Sequence, residues 1–403
     1  MSGQQQGERL ICVRYSRYEP LALISLLWFL VQFLRFAFPP LFGTFQAEYD
    51  VSNTSTGLLF TALMIAYAAM QFPAGAVSDQ IGRPRSIAIG GVLFGGISIM
   101  LLFASDFEFV FILAVLMGVT TAGHKTISIN MISNRYADQV GLGLGVLDTV
   151  GQFGGVAAPI GTVIFLSTIG WEWTFAIAGG CSIILAVFVG MRVTEDRPTS
   201  QRQHIEAEDS EETLRKRYLT LISNSRLLTF MIVTMTFTFA WNGVSSFLPL
   251  YLVEEKGLIT GSASLLYSVF FIVSLSQLVT GKISDSIGQL WVGLGTFILM
   301  IFTVVSLLIV DGVIAVSIVT LLLGTAFHSF RPVRDSYLMM LVPDDIGGGS
   351  LGIIRTGMVA VGSVAPAIVG YLADLSGFQV AFSVILFAVC LGGTLTGMLL
   401  ITR

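Results

Sequence analysis

The sequence predicts an all-α membrane protein, with twelve transmembrane helices arranged as two pseudo-symmetric six-helix bundles. Three observations carry the prediction. Over 403 residues the chain is 54% hydrophobic and 11% charged, far below the roughly 25% charged residues of soluble domains. Apolar runs long enough to cross about 30 Å of hydrocarbon at about 1.5 Å per residue occur twelve times. A short polar passage also appears twice between such runs, as "GAVSDQIGRPR" at 75–85 and "GKISDSIGQLW" at 281–291.

The twelve runs fall near 20–45, 55–77, 86–104, 109–133, 141–166, 171–191, 226–252, 261–282, 290–310, 313–341, 350–372 and 379–401. The N-terminus is polar up to Arg17, and no signal-peptide cleavage site precedes the first run, so that run is expected to stay in the membrane. Connections are short except at 192–225, which is polar and charged and reads as a linker. The expected organisation is a six-helix bundle over 1–191, a cytoplasmic linker over 192–225 and a second six-helix bundle over 226–403. With the N-terminus inside, fifteen of the sixteen basic residues outside the spans lie on the cytoplasmic side and only Lys256 lies opposite. Cytoplasmic loops are enriched in Lys and Arg, so both termini and both polar passages are expected there, in a multi-pass protein of the cytoplasmic membrane.

The repetition is more than local. Gly75, Asp79 and Gly82 recur as Gly281, Asp285 and Gly288 at an offset of 206, and at the same offset Gly118 matches Gly324, Lys125 matches Arg331 and Asp138 matches Asp344. One residue later in offset, Ala158-Pro159 matches Ala365-Pro366 and Phe175 matches Phe382. An offset maintained through five spans identifies two parallel repeats.

On these residues the chain resembles the major facilitator superfamily of transporters along essentially its whole length. The superfamily's signature of glycine, aspartate, glycine and basic residues between spans 2 and 3 is matched by Gly75, Asp79, Gly82, Arg83 and Arg85. In the second copy Gln289 replaces the arginine. The resemblance implies two bundles rocking about a midplane site. A carboxylate such as Asp79 could dock on the N-terminal end of a helix from the other half, where 347–350 opens span 11, and latch the outward-facing state. The alternative is a merely solvated loop. Asp285 is the corresponding gating candidate in the second half.

Charges within spans are costly and mark function by default. Arg35, Lys125, Arg331, Arg334 and Arg355 stand against Asp148 and Asp335. Arg35, Lys125 and Arg331, from spans 1, 4 and 10, are candidates to clamp a carboxylate or phosphate. Alternatively Lys125 pairs with Asp148 and Arg355 with Asp335, which would leave Arg35, Arg331 and Arg334 uncompensated. His124, Asp148, His328 and Asp335 are candidates to carry a coupling proton, a satisfied core histidine being the alternative. Trp241, Asn242 and Gln152 are the polar or amphipathic groups expected to line the cavity; Trp28 and Phe38 read as lipid-facing or packing residues.

Small residues along span 5 (Gly151, Gly154, Gly155, Ala158-Pro159, Gly161) allow close helix approach. They imperfectly resemble the superfamily's antiporter motif, with alanine in place of the glycine before proline, and plain packing is the preferred explanation. Ala114 stands where many proton-linked members carry an arginine. The net charge of -4 gives no reason to expect a nucleic-acid partner. Neither the cysteine nor the histidine spacing suggests a metal, and no phosphate-binding loop or nucleophile–base pair suggests a cofactor or catalysis. The expected function is secondary transport of a small organic anion, coupled to protons, by a monomer in the lipid bilayer. Efflux of hydrophobic or cationic compounds is the alternative.

Overall fold

The computed structural model describes residues 3–194, 224–341 and 357–402, from Tyr18 onward with side chains. Every regular element among them is helical. Twelve helices are long and apolar enough to cross a membrane: Tyr18–Tyr49, Asn53–Ile81, Arg83–Phe103, Phe107–Arg135, Ala137–Thr168, Glu172–Arg192, Ser225–Glu254, Thr260–Ile287, Gln289–Ile309, Val313–Leu341, Gly357–Ser376 and Phe378–Ile401. They are spans 1 to 12 below. Caps set several boundaries. Asp106 accepts from the Phe109 N–H at 2.8 Å to start span 4, and Asn224 accepts from the N–H groups of Arg226 and Leu227 to start span 7. Such bonds satisfy donors that the first helical turn leaves without partners.

Each of the two polar passages forms a turn of the same shape. Gly82 and Gly288 end their helices at φ 95° and 98°, and each donates its N–H at 3.0 Å to a serine carbonyl, of Ser78 and Ser284. Those serines in turn donate their hydroxyls at 2.7 Å to the carbonyls of Gly75 and Gly281. A positive φ is open to glycine and strained for other residues, so the glycines at the end of each motif are required by the backbone.

Within the first six spans the main packing pairs are 1 with 5, 2 with 4 and 3 with 6; within the last six, 8 with 10, 9 with 10, 7 with 12 and 9 with 12. Glycines bring backbones together at these crossings, as small residues do in membrane helix packing. A Cβ on Gly118 would lie 2.3 Å from the Leu63 carbonyl oxygen of span 2, and one on the equivalent Gly324 would lie 2.6 Å from that of Phe270 in span 8. The span 5 series is packing of the same kind: Gly151 abuts Trp28 and Gly154 the Phe29 carbonyl of span 1.

The two sets of spans meet through spans 2 and 11 and spans 5 and 8. At the face opposite the polar passages Asp374 of span 11 accepts from the Asn53 N–H (2.9 Å), the Thr54 N–H (2.7 Å) and the Thr54 hydroxyl (2.5 Å) at the start of span 2. Deeper, the Ala367 N–H donates to the Thr61 hydroxyl at 3.0 Å. A Cβ on Gly57 would fall 2.3 Å from the Pro366 carbonyl oxygen, and one on Gly370 2.2 Å from that of Asn53. Phe36 packs on Phe271 across the middle, with centroids 4.5 Å apart. Toward the motif face, bonds among the described residues include Tyr18 to Gln139, Arg192 to Glu19 and Arg226 to Tyr337, each within one set. Asp79 and Asp285 are exposed there. Beside Gly75 a Cβ would meet nothing within 4 Å among the described residues. The start of span 11 at 347–350, Asp344 of the repeat, Arg355 and most of the 192–225 linker lie outside the described residues.

Candidate functional site

Between the halves lies a cavity whose charged walls come from spans 1, 4, 5 and 10. On the first side Trp28 of span 1 is buried and stacks on His124 of span 4, with centroids 5.6 Å apart and planes within 7°. Lys125 Nζ lies 5.7 Å and Arg35 Cζ 5.9 Å from the centre of the Trp28 ring. On the second side Trp241 of span 7 meets His328 of span 10 edge-on at 5.0 Å, and Arg331 Cζ lies 5.4 Å from its ring. Each half thus offers a tryptophan, a histidine and a cation. The equivalence of Lys125 and Arg331 read from the repeat reappears as a shared environment.

The ion pairing resolves one of the open alternatives. Lys125 Nζ donates to Asp148 at 2.7 Å, the pair foreseen between spans 4 and 5. Asp148 is 56% exposed although it stands between the halves, so the gap beside it is open. It and Asp335 are the carboxylates that act electrostatically on Arg331, whose like-charged neighbour is Arg334. Arg334 is not uncompensated as expected, because its Nε and Nη2 both donate to Asp335, at 2.9 and 2.8 Å. The proposed Arg355 partner of Asp335 lies outside the described residues.

Arg35 remains without an acid. It is 9% exposed and sits 4.2 Å over the Tyr67 ring, and its Nη2 has no hydrogen-bond acceptor. Among the described residues no carboxylate comes within 4 Å of Arg35 or Arg331. Aromatic rings hold both guanidiniums by the attraction of a cation for a π face, which leaves their positive charge in place. Nearby, Gln32 Oε1 and both ring nitrogens of the fully buried His328 also lack partners.

The other candidates divide. Trp241 is half-buried, ringed by Phe270, Phe271 and Phe327, and Gln152 is half-buried on span 5. Asn242 is turned elsewhere: it is 6% exposed, donates its amide to Thr238 at 3.0 Å, and abuts Gly362 of span 11. Its amide is committed within its own half, which removes it from the cavity wall. His124 approaches the Ile24 carbonyl at 3.3 Å, as a satisfied core histidine would. Two residues escaped the sequence reading. Trp28, which reads as a lipid-facing or packing residue, does pack on span 5 and also stacks on His124, and Asp374 bonds across the halves; only the symmetry with Trp241 could have pointed to the further role of the former.

Twelve spans in two halves joined at one face, with a cationic centre between them, define a membrane transporter rather than an enzyme. The chain belongs to the Major Facilitator Superfamily, whose family model matches residues 24–327. It is similar to a probable sulfoacetate transporter of Cupriavidus necator, at 21% identity over 90% of this chain and 88% of that one. It is also similar to a D-galactonate transporter of Escherichia coli, at 24% identity over 88% and 89%. Among solved structures, a bacterial homolog of the human lysosomal transporter Spinster, described as inward-facing and unoccupied, aligns with TM-score 0.80 at 13% identity, covering 95% of this chain and 97% of that one. That likeness shows the fold.

Proposed function

We propose that this protein carries a small organic anion, of carboxylate or sugar-acid type, across the cytoplasmic membrane by alternating access, coupled to protons. The observation that carries the reading is Arg35, a buried guanidinium with an unmet donor and no carboxylate partner, facing a cavity whose other half presents Arg331. Burying such a charge is costly unless something pairs with it, and an anionic cargo would do so. The names of two relatives, acting on sulfoacetate and on galactonate, support the same class. On this reading Arg35, Lys125 and Arg331 bind the anion, Trp241 and Gln152 line its path, and Asp148, with His124, His328 and Asp335, forms the set from which the proton carrier comes. The bundles 1–191 and 226–403 rock as units about the linker 192–225, in a monomer with both termini cytoplasmic. The closed Asp374 face is then external, and Asp79, Arg83 and Arg85 serve the latch of the opposite, cytoplasmic face.

The test is uptake into proteoliposomes. Carboxylates and sugar acids should be accumulated, faster with an imposed inward proton gradient, and neutralising Arg35, Lys125 and Arg331 together should abolish uptake. Binding of organic cations that survives this triple neutralisation, with no response to acids, would replace the anion reading by efflux, which the aromatic shell around Trp241 favours.

A further inference from the structure

The charge count of the cavity goes further than the sign of its cargo. Among the described residues four ionic side chains gather around the two tryptophans: Arg35, Lys125 and Arg331, with Asp148 opposing them. Lys125 is held by Asp148 at 2.7 Å, and Arg334, the next cation along span 10, is held by Asp335 at 2.8 Å. Three cations against one carboxylate leave two positive charges, and the cations with no carboxylate within 4 Å among the described residues are Arg35 and Arg331. Each is held by aromatic rings, Arg35 by Tyr67 at 4.2 Å and Arg331 by Trp241 at 5.4 Å, which fixes a guanidinium without cancelling its charge.

We propose that the cargo is a small dianion, two acid groups on one skeleton, one taken by Arg35 and the other by Arg331. The inference rests on the anion reading above and narrows it. Whenever the site is open to either face, water and mobile counter-ions screen the excess. Alternating access requires passage through a state sealed at both faces, in which little screening remains and each uncompensated charge opposes closure. A monoanion leaves one guanidinium bare at that moment; a dianion leaves none. The fork of a guanidinium suits an acid group, so two forks in separate halves select cargo by the number of its acid groups and by their reach, and draw the halves together as both engage.

The test compares skeletons matched except for one acid group: succinate with succinamate, and glucarate with gluconate, titrated into the purified full-length protein at neutral pH and followed by calorimetry. Since one charge-assisted contact distinguishes the members of a pair, at least one dianion should bind roughly ten- to a hundredfold tighter than its monoanion. Arg35→Gln and Arg331→Gln should each bring that ratio near one. Arg35→Lys and Arg331→Lys retain the charge, so they should keep the preference at lower affinity and remain informative where a glutamine variant does not fold. Monoanions that bind as tightly as their dianion partners would overturn the inference and leave the anion reading intact. Failure of all four acids to bind would overturn both.

Discussion

Replacing Asp374 by alanine removes three hydrogen bonds that hold span 11 on the start of span 2. In effect Asp374 is a helix cap supplied by the other half of the molecule. Losing a capping side chain costs about 0.5–2 kcal/mol, and a carboxylate at an exposed helix N-terminus adds about 0.3–1 kcal/mol. Asp374 is exposed, which places the combined loss at the lower end, about 1–2 kcal/mol. Conformers closed at this face should therefore lose roughly five- to thirtyfold in population relative to open ones. Spin labels at Ser105 and Val313, exposed positions on this face in the two halves, would report the separation by pulsed dipolar spectroscopy once Cys12, Cys181 and Cys390 are replaced. Asp374→Ala should populate a longer distance, and Asp374→Asn, which keeps one acceptor oxygen without the charge, should fall between. A correctly inserted alanine variant with an unchanged distance distribution would refute the latch.

Four further outcomes are expected. Arg331→Gln should weaken cargo binding roughly ten- to a hundredfold by isothermal titration, and Arg331→Lys should restore only part, because the planar fork is lost. Asp79→Asn should insert normally into membranes yet lose most transport, with the label pair on the Asp374 face shifted toward the closed distance; wild-type uptake would remove the motif-face latch. Gly288→Ala places a side chain at φ 98° and should cost about 1–2 kcal/mol of stability, read as a lowered melting temperature in detergent. Cysteines introduced at Gln203 and Glu48 should be labelled only from the cytoplasm and only from outside, respectively, and the reverse would overturn the assigned sidedness.

The spans were legible because hydrocarbon admits so few solutions for a backbone, and twenty apolar residues announce one of them. The repeat was legible because the turns at Gly82 and Gly288 tolerate little else. Interior and lipid-facing positions were harder to separate. In a membrane, lipid tails are as apolar as the protein core, so the polarity contrast that marks buried faces in water is muted, and Trp28 looks like any other tryptophan. Pairing of charges by depth found Lys125 with Asp148, two residues facing across adjacent helices. It missed Arg334, whose long side chain folds back on its sequence neighbour Asp335, a contact that helical spacing disfavours. Asp374 was hidden for another reason: two of its three partners are backbone amides, which leave no trace in residue identity.

The crossing of spans 2 and 11 has a bioenergetic consequence. Where Gly57 meets Pro366 and Gly370 meets Asn53, main chain lies on main chain with no side chain able to swing aside. Backbone contact of that kind leaves little room for water between the two helices. If, as proposed, this face is the external one, a carrier sealed in this way can wait for cargo without bleeding the voltage of the membrane it sits in, and one added methyl at either glycine would wedge the seal ajar into a small leak.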